Sequence, residues 1–229
     1  MPNVNREFIP NQIFVGLPWK NARQKYDRLI KKLEARYPLH FTIVGRNDGQ
    51  DAEDLFEIIK ERISSSSYAI FDATGGNANV SLEFGYAEGL EVPRSIYLSA
   101  HKASQRASSS NPIISDLHGK RRVQYTNENS LYAQLDKFCK GHDFTKRFEE
   151  GLKKGFKGLT KGNKKRGRAL AIKLVRALDG NSIIRRAQIV QNLQAKGYKG
   201  NEIEDVLKVL HDSDVVKTTA GRYADTYIA

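Results

Sequence analysis

The stretch that decides the fold is Asp72–Gly89, with the sequence DATGGNANVSLEFGYAEG. It begins at the end of YAIFDA (Tyr68–Ala73), a short apolar run with the length and composition of a buried strand. A glycine-containing loop follows, and a helix is predicted to begin near Asn79. Strand, loop and helix in this order place the loop at the carboxyl end of the strand, where open parallel sheets bind ligands.

The same alternation of strand and helix continues on both sides of this stretch. Amphipathic helical patterns lie between apolar runs, and right-handed crossovers then place helices on both faces of a parallel sheet. We therefore predict an α/β fold with a five-stranded, doubly wound parallel sheet. The predicted strands are Ile13–Gly16, His40–Val44, Tyr68–Ala73, Ser95–Ser99 and Arg122–Thr126. The segment His101–Pro112 has the composition of a loop.

The composition excludes several classes of protein. No apolar run reaches the roughly 18 residues that a membrane span needs, and the first ten residues lack a secretory signal, so we expect a cytoplasmic protein without membrane contact. The single cysteine, Cys139, excludes an internal disulfide framework and a thiolate zinc site. The five histidines have no ligand spacing, so we expect neither a metal nor a cofactor.

Positive charge is concentrated in the C-terminal third. Residues 151–229 hold 17 Lys/Arg against 7 Asp/Glu, whereas the first 150 residues hold 21 against 19. The sequence therefore predicts either an acidic partner for the C-terminal part or only a solvated basic surface. The composition also predicts three regions: an α/β domain over 1–143, a basic helix or linker over 144–167, and a small α+β domain over 168–229.

Glu83 is the candidate with the strongest local pattern. Asn79 and Glu83 are four residues apart, so they share one face of the predicted helix just below the loop. Apolar and aromatic neighbours make a purely solvated position less natural for Glu83, although an acid near a helix N-terminus is also favoured by the helix dipole. For Asn79 the alternative role is N-cap of the helix. Asp72, at the end of the preceding strand, is a further candidate site residue. Its alternative role is to cap the loop that follows it.

The run Asn77-x-Asn79-Val80-x-x-Glu83-x-Gly85-Tyr86-Ala87 resembles the nucleoside 2-deoxyribosyltransferase superfamily and TIR-type NAD glycohydrolases. IFVGLPW (Ile13–Trp19) resembles the first strand and pocket loop of that superfamily, and the resemblance covers roughly residues 11–140. It implies a sheet of flavodoxin-like strand order and an enzyme that acts on an N-glycosidic bond. The substrate would be a nucleoside or a dinucleotide such as NAD.

The resemblance also implies roles for individual residues. Glu83 would attack or stabilise the anomeric carbon, because the transition state is oxocarbenium-like. Asp72 would bind sugar hydroxyls or tune Glu83, and Asn79 would position Glu83 or the sugar. Trp19 would stack on a base, unless it serves only in packing. The residues implied in substrate binding are Gly16, Pro18, Trp19, Asp48, Asp51, Gly75, Gly76 and Asn77.

One position departs from the pattern. Transferases of this type carry an acid about six residues before the nucleophile, and Asn77 stands there in this chain. An amide cannot protonate a departing purine, whereas nicotinamide leaves NAD as a neutral molecule without a proton. The departure therefore favours hydrolysis of NAD over purine transfer, and it leaves open a binding domain without activity.

The C-terminal pattern of three short helices and a hairpin resembles a winged helix-turn-helix module. Its third helix begins with Glu202, Glu204 and Asp205, which would repel phosphates, so non-specific contact with nucleic acid, or with a partner that contains it, fits better than sequence recognition. A protein-interaction domain is the alternative. The predicted nucleic-acid-binding residues are Lys164, Lys165, Arg166, Arg168, Arg185, Arg186 and Arg222.

Two functional hypotheses follow. In the first, a homo-oligomeric N-glycosidase is fused to a module that binds nucleic acid or another partner, by analogy with effectors of prokaryotic antiviral defence. In the second, the protein is a non-catalytic nucleotide-binding or DNA-binding regulator in which Glu83 only contacts a ligand.

Overall fold

The computed structural model describes residues 8–45, 52–100, 122–178, 184–218 and 225–228. The chain divides into two compact units. The first contains Met1–Leu33 and Phe41–Phe138, and the second contains Glu34–His40 and Cys139–Ala229. The three-region division predicted from composition stays a prediction. Its segment 144–167 contains most of one helix and the first turns of another.

The first unit alternates strand and helix. Its elements are β1 (Ile9–Gly16), α1 (Trp19–Glu34), β2 (His40–Thr42), α2 (Ala52–Ser64), β3 (Ser66–Asp72), α3 (Ala78–Gly89), β4 (Arg94–Ser99), β5 (Arg122–Tyr125) and α4 (Glu128–Gly141). The five strands form one sheet in the order β2-β1-β3-β4-β5. The register pairs of β1 with β3, β3 with β4, and β4 with β5 are all parallel. The predicted doubly wound α/β fold is thus confirmed, and the order reverses between β1 and β3.

Alternation along β3 sends neighbouring side chains to opposite faces of the sheet. Phe71 packs on the side of α2 and α3, where its ring meets that of Phe84 edge-on at 5.5 Å between centroids. Asp72, the next residue, faces α1, because its carboxylate accepts a hydrogen bond from Tyr26. The last two residues of β3 therefore serve different faces of the sheet.

Local chemistry sets the start of α3. Gly75 and Gly76 both have positive φ, +87° and +65°, which is the backbone region that glycine tolerates best, and they turn the chain out of β3. Asn77 then caps the helix, because its Oδ1 accepts hydrogen bonds from the backbone N–H groups of Asn79 and Val80. Val80, Phe84 and Ala87 are the buried face of α3 and fix its orientation on the sheet.

The second unit contains helices and a small antiparallel sheet. Its elements are α5 (Asp143–Gly155), α6 (Lys161–Ala177), β6 (Ile184–Arg185), α7 (Arg186–Gln194), α8 (Gly200–Asp212), β7 (Val216–Thr218) and β8 (Asp225–Ile228). The strands lie in the order β6-β8-β7. The resemblance of residues 168–229 to a winged helix-turn-helix module stays a prediction.

Helix α5 is an integral part of this second unit. Gly151 and Gly155, one turn apart, let it approach α8 closely, because a methyl group at either position would overlap Ser213 or Val209. Phe144, Phe148 and Leu152 are buried on the same helix. Packing of this kind is not expected of a linker, and it explains why a segment with linker-like composition is helical.

Among the described helices, none has the length and apolar composition to cross a membrane. Within the same ranges, no group of three His, Cys, Asp or Glu side chains is placed to hold a metal ion. The predicted loop His101–Pro112 lies outside the described residues.

Candidate active site

Glu83 lies on α3, at the edge of the sheet where β1 and β3 end. Its side chain is largely buried, and Oε2 has no hydrogen-bond partner among the described residues. Burial raises the pKa of Glu83 to about 7, because a carboxylate loses its hydration there. A carboxyl group that is half-ionised near neutral pH, at a strand-order reversal, is characteristic of a functional site.

Gly16, the last residue of β1, makes room for this carboxyl group. It is buried and pairs with Phe71 in the register of β1 and β3. A methyl group at Gly16 would overlap Oε2 of Glu83 and would come within 2.7 Å of Cδ1 of Phe71. The structure therefore brings together two of the predicted site residues, Gly16 and Glu83, and the absence of a side chain at Gly16 is what permits it.

Asp72 is held in a different environment. It is fully buried, and Oδ2 accepts hydrogen bonds from the hydroxyl groups of Tyr26 at 3.1 Å and Tyr125 at 2.7 Å. Oδ1 accepts from the backbone N–H of Thr74 at 3.0 Å. Both oxygens are thus engaged within the protein, on the face of the sheet opposite α3. The bond from Thr74 corresponds to the predicted capping of the loop after β3. The roles of Asp72 in binding sugar hydroxyls or tuning Glu83 stay predictions.

The sequence alone does not predict that Tyr26 and Tyr125 contact Asp72. Burial and the nearby Asp72 charge raise the pKa of both Tyr26 and Tyr125, so both remain protonated donors. Lys25 Nζ donates to Tyr125 Oη at 3.0 Å and lies 4.6 Å from the centre of its ring. One feature of the sequence points to Tyr125. It ends β5, the last strand of the first unit, so it lies at the same edge of the sheet as Asp72.

The loop between β3 and α3 and the first turn of α3 carry the remaining predicted residues near Glu83. Gly75, Gly76 and Asn79 are exposed, and Asn79 lies one helical turn before Glu83. The suggestion that Asn79 caps the helix is wrong, because Asn77 does so. The oxygen of Asn77, predicted to lie in the substrate pocket, faces the backbone of α3 instead. Asn79 is therefore the amide that remains available to a ligand beside Glu83.

The loop after β1 contains Pro18 and Trp19. Pro18 is buried, and its carbonyl accepts the N–H of Ala22 in the first turn of α1. Trp19 is exposed by 38%, and the guanidinium of Arg23 lies 4.6 Å from the centre of its ring. An exposed indole already stacked by a cation is compatible with a ligand contact on its other face. Asp48 and Asp51 lie outside the described residues.

Most arginines predicted to bind nucleic acid are already paired with acidic residues. Arg166 contacts Glu202 at 2.9 Å, Arg168 contacts Glu149, and Arg186 contacts Glu204. Lys164 and Lys165 are exposed, and no ion pair is found for either within the described ranges. Arg185 is exposed at the end of β6, and Arg222 lies outside the described residues. The ion pairs make the three arginines poorer candidates for phosphate contact than the two lysines.

Comparison with known proteins gives structural likeness only. No protein-family model matches the chain, and no curated protein matches it. Among solved structures, it is similar to a 2-desoxiribosyltransferase from Leishmania mexicana, with a TM-score of 0.46 and 16% identity over 56% of this chain and 98% of that one. It is also similar to the CMP N-glycosidase BcmB from Clostridium botulinum, with a TM-score of 0.40 and 13% identity over the same shares.

Proposed function

We propose that the first unit cleaves an N-glycosidic bond and that Glu83 is the catalytic carboxylate. The observation that carries the proposal is the buried, unpartnered Oε2 of Glu83 beside Gly16, at the carboxyl edge of the sheet. A carboxylate held this way is suited to stabilise positive charge, because no donor in the described residues competes for that oxygen. An oxocarbenium-like sugar supplies positive charge as the base departs.

The proposed reaction has two steps. First, a carboxylate oxygen of Glu83 bonds to the anomeric carbon while the bond from that carbon to the base nitrogen breaks, and the electron pair leaves with the base. Second, the oxygen of a water molecule attacks the anomeric carbon of the ester, Glu83 returns to a carboxylate, and one proton passes to solvent. A second base in place of water would make the same chemistry a transfer, because its ring nitrogen would take the sugar from Glu83.

We propose a pyridinium nucleotide such as NAD as the preferred substrate. Its leaving group becomes neutral as the bond breaks, so it needs no proton. The polar residues at the start of α3, Asn77 and Asn79, are amides rather than acids. The cationic ring also favours the ionised form of Glu83, because a positive charge nearby lowers the pKa of a carboxyl group. A neutral nucleoside meets Glu83 in a half-protonated state at pH 7.

The test is base release by the whole protein. Wild type, Glu83→Gln and the control Glu88→Gln are incubated with NAD, ribonucleosides and deoxynucleosides, and released base is quantified. Glu88 lies on the same helix but pairs with Arg94 at 3.0 Å, outside the proposed site. We expect Glu83→Gln to lower turnover about a thousandfold or more, and Glu88→Gln to leave it near wild type.

Three results would contradict the proposal. Turnover by Glu83→Gln at the wild-type rate would remove Glu83 from the mechanism. Equal losses in both variants would indicate damage to α3 rather than lost chemistry, and circular dichroism of both variants checks this. Tight binding of a nucleotide by the wild type without any released base would favour the alternative hypothesis of a non-catalytic regulator.

A further inference from the structure

Six lysines surround the junction of α5 and α6 and are all exposed to solvent. Residues 151–168 contain no acidic residue, and none of the six forms an ion pair within the part of the chain that the structure describes. We call this group the lysine surface. It consists of Lys153, Lys154, Lys157, Lys161, Lys164 and Lys165.

The helix hairpin fixes the lysine surface in place. Phe156 ends α5, and its buried ring packs against Gly167 of α6, where an added methyl group would come within 2.8 Å of the ring. Close packing of Gly155 on Val209 holds the same end of α5 against α8. The three lysines of α5 and its following turn are thereby kept beside the first two turns of α6, which carry the other three.

Three arginines of this unit form ion pairs with glutamates, whereas no ion pair is found for the lysine surface within the described residues. Arg166, Arg168 and Arg186 each meet a glutamate. Moreover, Lys161, Lys164 and Lys165 lie at the N-terminal end of α6, whose first turn has no acidic residue. Positive charge is unfavourable at that end of a helix. An anionic partner would relieve this repulsion.

We propose that the lysine surface binds the phosphate backbone of a nucleic-acid duplex, independently of its sequence. Lysine heads on flexible stems suit evenly spaced phosphates, and such interactions supply non-specific affinity. A single strand is disfavoured, because it is held by stacking on aromatic side chains, and the only aromatic residue of 151–168, Phe156, is buried. The start of α8 has no such surplus of positive charge, because Glu202 and Glu204 balance the arginines that pair with them and Asp205 adds a further negative charge.

Two other anionic partners fit less well. Protein interfaces are depleted in lysine and rely on aromatic and arginine anchors, which are absent or already paired here. A membrane surface would require several apolar side chains among the lysines, and Leu159 is the one large exposed hydrophobic residue that the structure describes in residues 151–168. Both partners are therefore outcomes of the test rather than the proposal.

The test measures binding of the full chain to a fluorescent 20-bp DNA duplex and a 20-bp RNA duplex, each of arbitrary sequence, by anisotropy over a salt series. The variant is Lys161→Gln, Lys164→Gln and Lys165→Gln together. The control removes the same charge from exposed positions of the first unit, with Lys31→Gln, Lys32→Gln and Lys137→Gln together. We expect the variant to weaken duplex binding by about tenfold or more at 0.1 M salt. The slope of log K against log salt should fall by about 0.9 for each phosphate that the variant no longer neutralises.

A second variant, with Lys153→Gln, Lys154→Gln and Lys157→Gln together, should also weaken duplex binding. Its melting temperature, and that of the first variant, verify that the unit remains folded. The proposal is overturned if the control weakens binding as much as the variants, or if the wild type binds neither duplex at 50 mM salt. It is also overturned if single-stranded oligonucleotides, acidic peptides or anionic phospholipid vesicles bind more tightly than the duplexes. None of these results depends on base release. Duplex binding and N-glycosidic cleavage can therefore be refuted independently of each other.

Discussion

The Oε2 atom of Glu83 occupies the space that a side chain at Gly16 would fill. The two residues come from different elements, the end of β1 and the second turn of α3, and they meet where the strand order reverses. Gly16 has no side chain that could donate a hydrogen bond, and Oε2 is buried without a partner among the described residues. The unpaired oxygen costs stability that the surrounding packing must offset, and the proposed function assigns it a cationic ligand.

The first prediction is that Gly16→Ala disables the site. The added methyl group would displace the carboxyl of Glu83 or the ring of Phe71. Because a shift of about 1 Å can cost about a hundredfold in rate, we expect kcat/KM for base release to fall by that order. Gly85→Ala is the matched control: Gly85 is exposed on α3 with open space around it, so activity should persist and stability should rise by about 0.5–1 kcal/mol. Wild-type activity in Gly16→Ala would contradict the close approach of the two residues.

The second prediction concerns the pH dependence of activity. Nucleophilic attack requires the carboxylate, and burial raises the pKa of Glu83 to about 7. We therefore expect kcat/KM to rise with pH, to reach half of its maximum near pH 7, and to be about tenfold below the plateau at pH 6. A profile already flat from pH 5 upwards would mean that Glu83 is ionised well below 7 or does not act as the nucleophile.

The third prediction concerns stability. The pKa of Glu83 is about 7 in the folded protein against a reference value of 4.5, so the folded state binds this proton more tightly than the unfolded state. Protonation of Glu83 therefore stabilises the folded state. This stabilisation is fully present below about pH 4.5 and is lost as the pH rises through 7. Glu83→Gln keeps the neutral form at every pH, so above pH 7 it should be more stable than wild type by up to about 3 kcal/mol.

Urea denaturation at pH 5 and pH 8 checks this third prediction. The gap between Glu83→Gln and wild type should be larger at pH 8 than at pH 5. The variant Glu88→Gln should show no such change, because Glu88 lies beside Arg94. A gap that is equal at both pH values would show that Glu83 does not carry the shifted pKa.

Much of the first unit was predictable from the sequence, because alternating apolar strands and amphipathic helices constrain a parallel sheet. The strand order was implied by the resemblance rather than by this alternation, and the structure shows that order. The position of Glu83 just after the carboxyl end of β3 follows from the succession of strand, loop and helix. The roles of individual side chains were harder to predict from the sequence. Asn77 and Asn79 carry the same side chain, so the sequence alone does not show which of them caps the helix. The chain turns at Gly75 and Gly76 and the helix begins at Ala78, which makes Asn77 the cap.

The contacts that the sequence does not predict join residues that are far apart in the chain. Nothing in the sequence around Asp72 shows that hydroxyl groups from Tyr26 and Tyr125, 46 and 53 residues away, reach it. Nor does composition show which basic residues find acidic partners: Arg166 lies next to Lys165, yet Arg166 pairs with Glu202, 36 residues on. Charge counts predict a basic surface but not which of its members are neutralised.

The fourth prediction is that Asp72 acts in folding rather than in chemistry. Asp72→Ala leaves two buried tyrosine hydroxyls and the N–H of Thr74 without their acceptor, so we expect a loss of about 3 kcal/mol or more in stability. Tyr125→Phe removes one of these bonds and should cost about 1 kcal/mol, with Tyr132→Phe on α4 as a control. Neither should shift the midpoint of the pH–activity profile. A shifted midpoint in Tyr125→Phe would instead couple Asp72 to Glu83.

The last prediction concerns Asn77, which stands where a leaving-group acid would be expected. Its Oδ1 accepts the N–H groups of Asn79 and Val80, at the positive end of α3. An aspartate there would cap the helix as well as asparagine does, and those N–H groups would hold it ionised by lowering its pKa. A carboxylate that stays ionised cannot protonate a purine, so Asn77→Asp should keep its stability and should not raise cleavage of deoxyadenosine relative to NAD. Asn77→Ala should lose about 1 kcal/mol of stability. Side-by-side rates on the two substrates and melting curves test this. A tenfold relative gain in purine cleavage by Asn77→Asp would show that the side chain turns from α3 toward the leaving base.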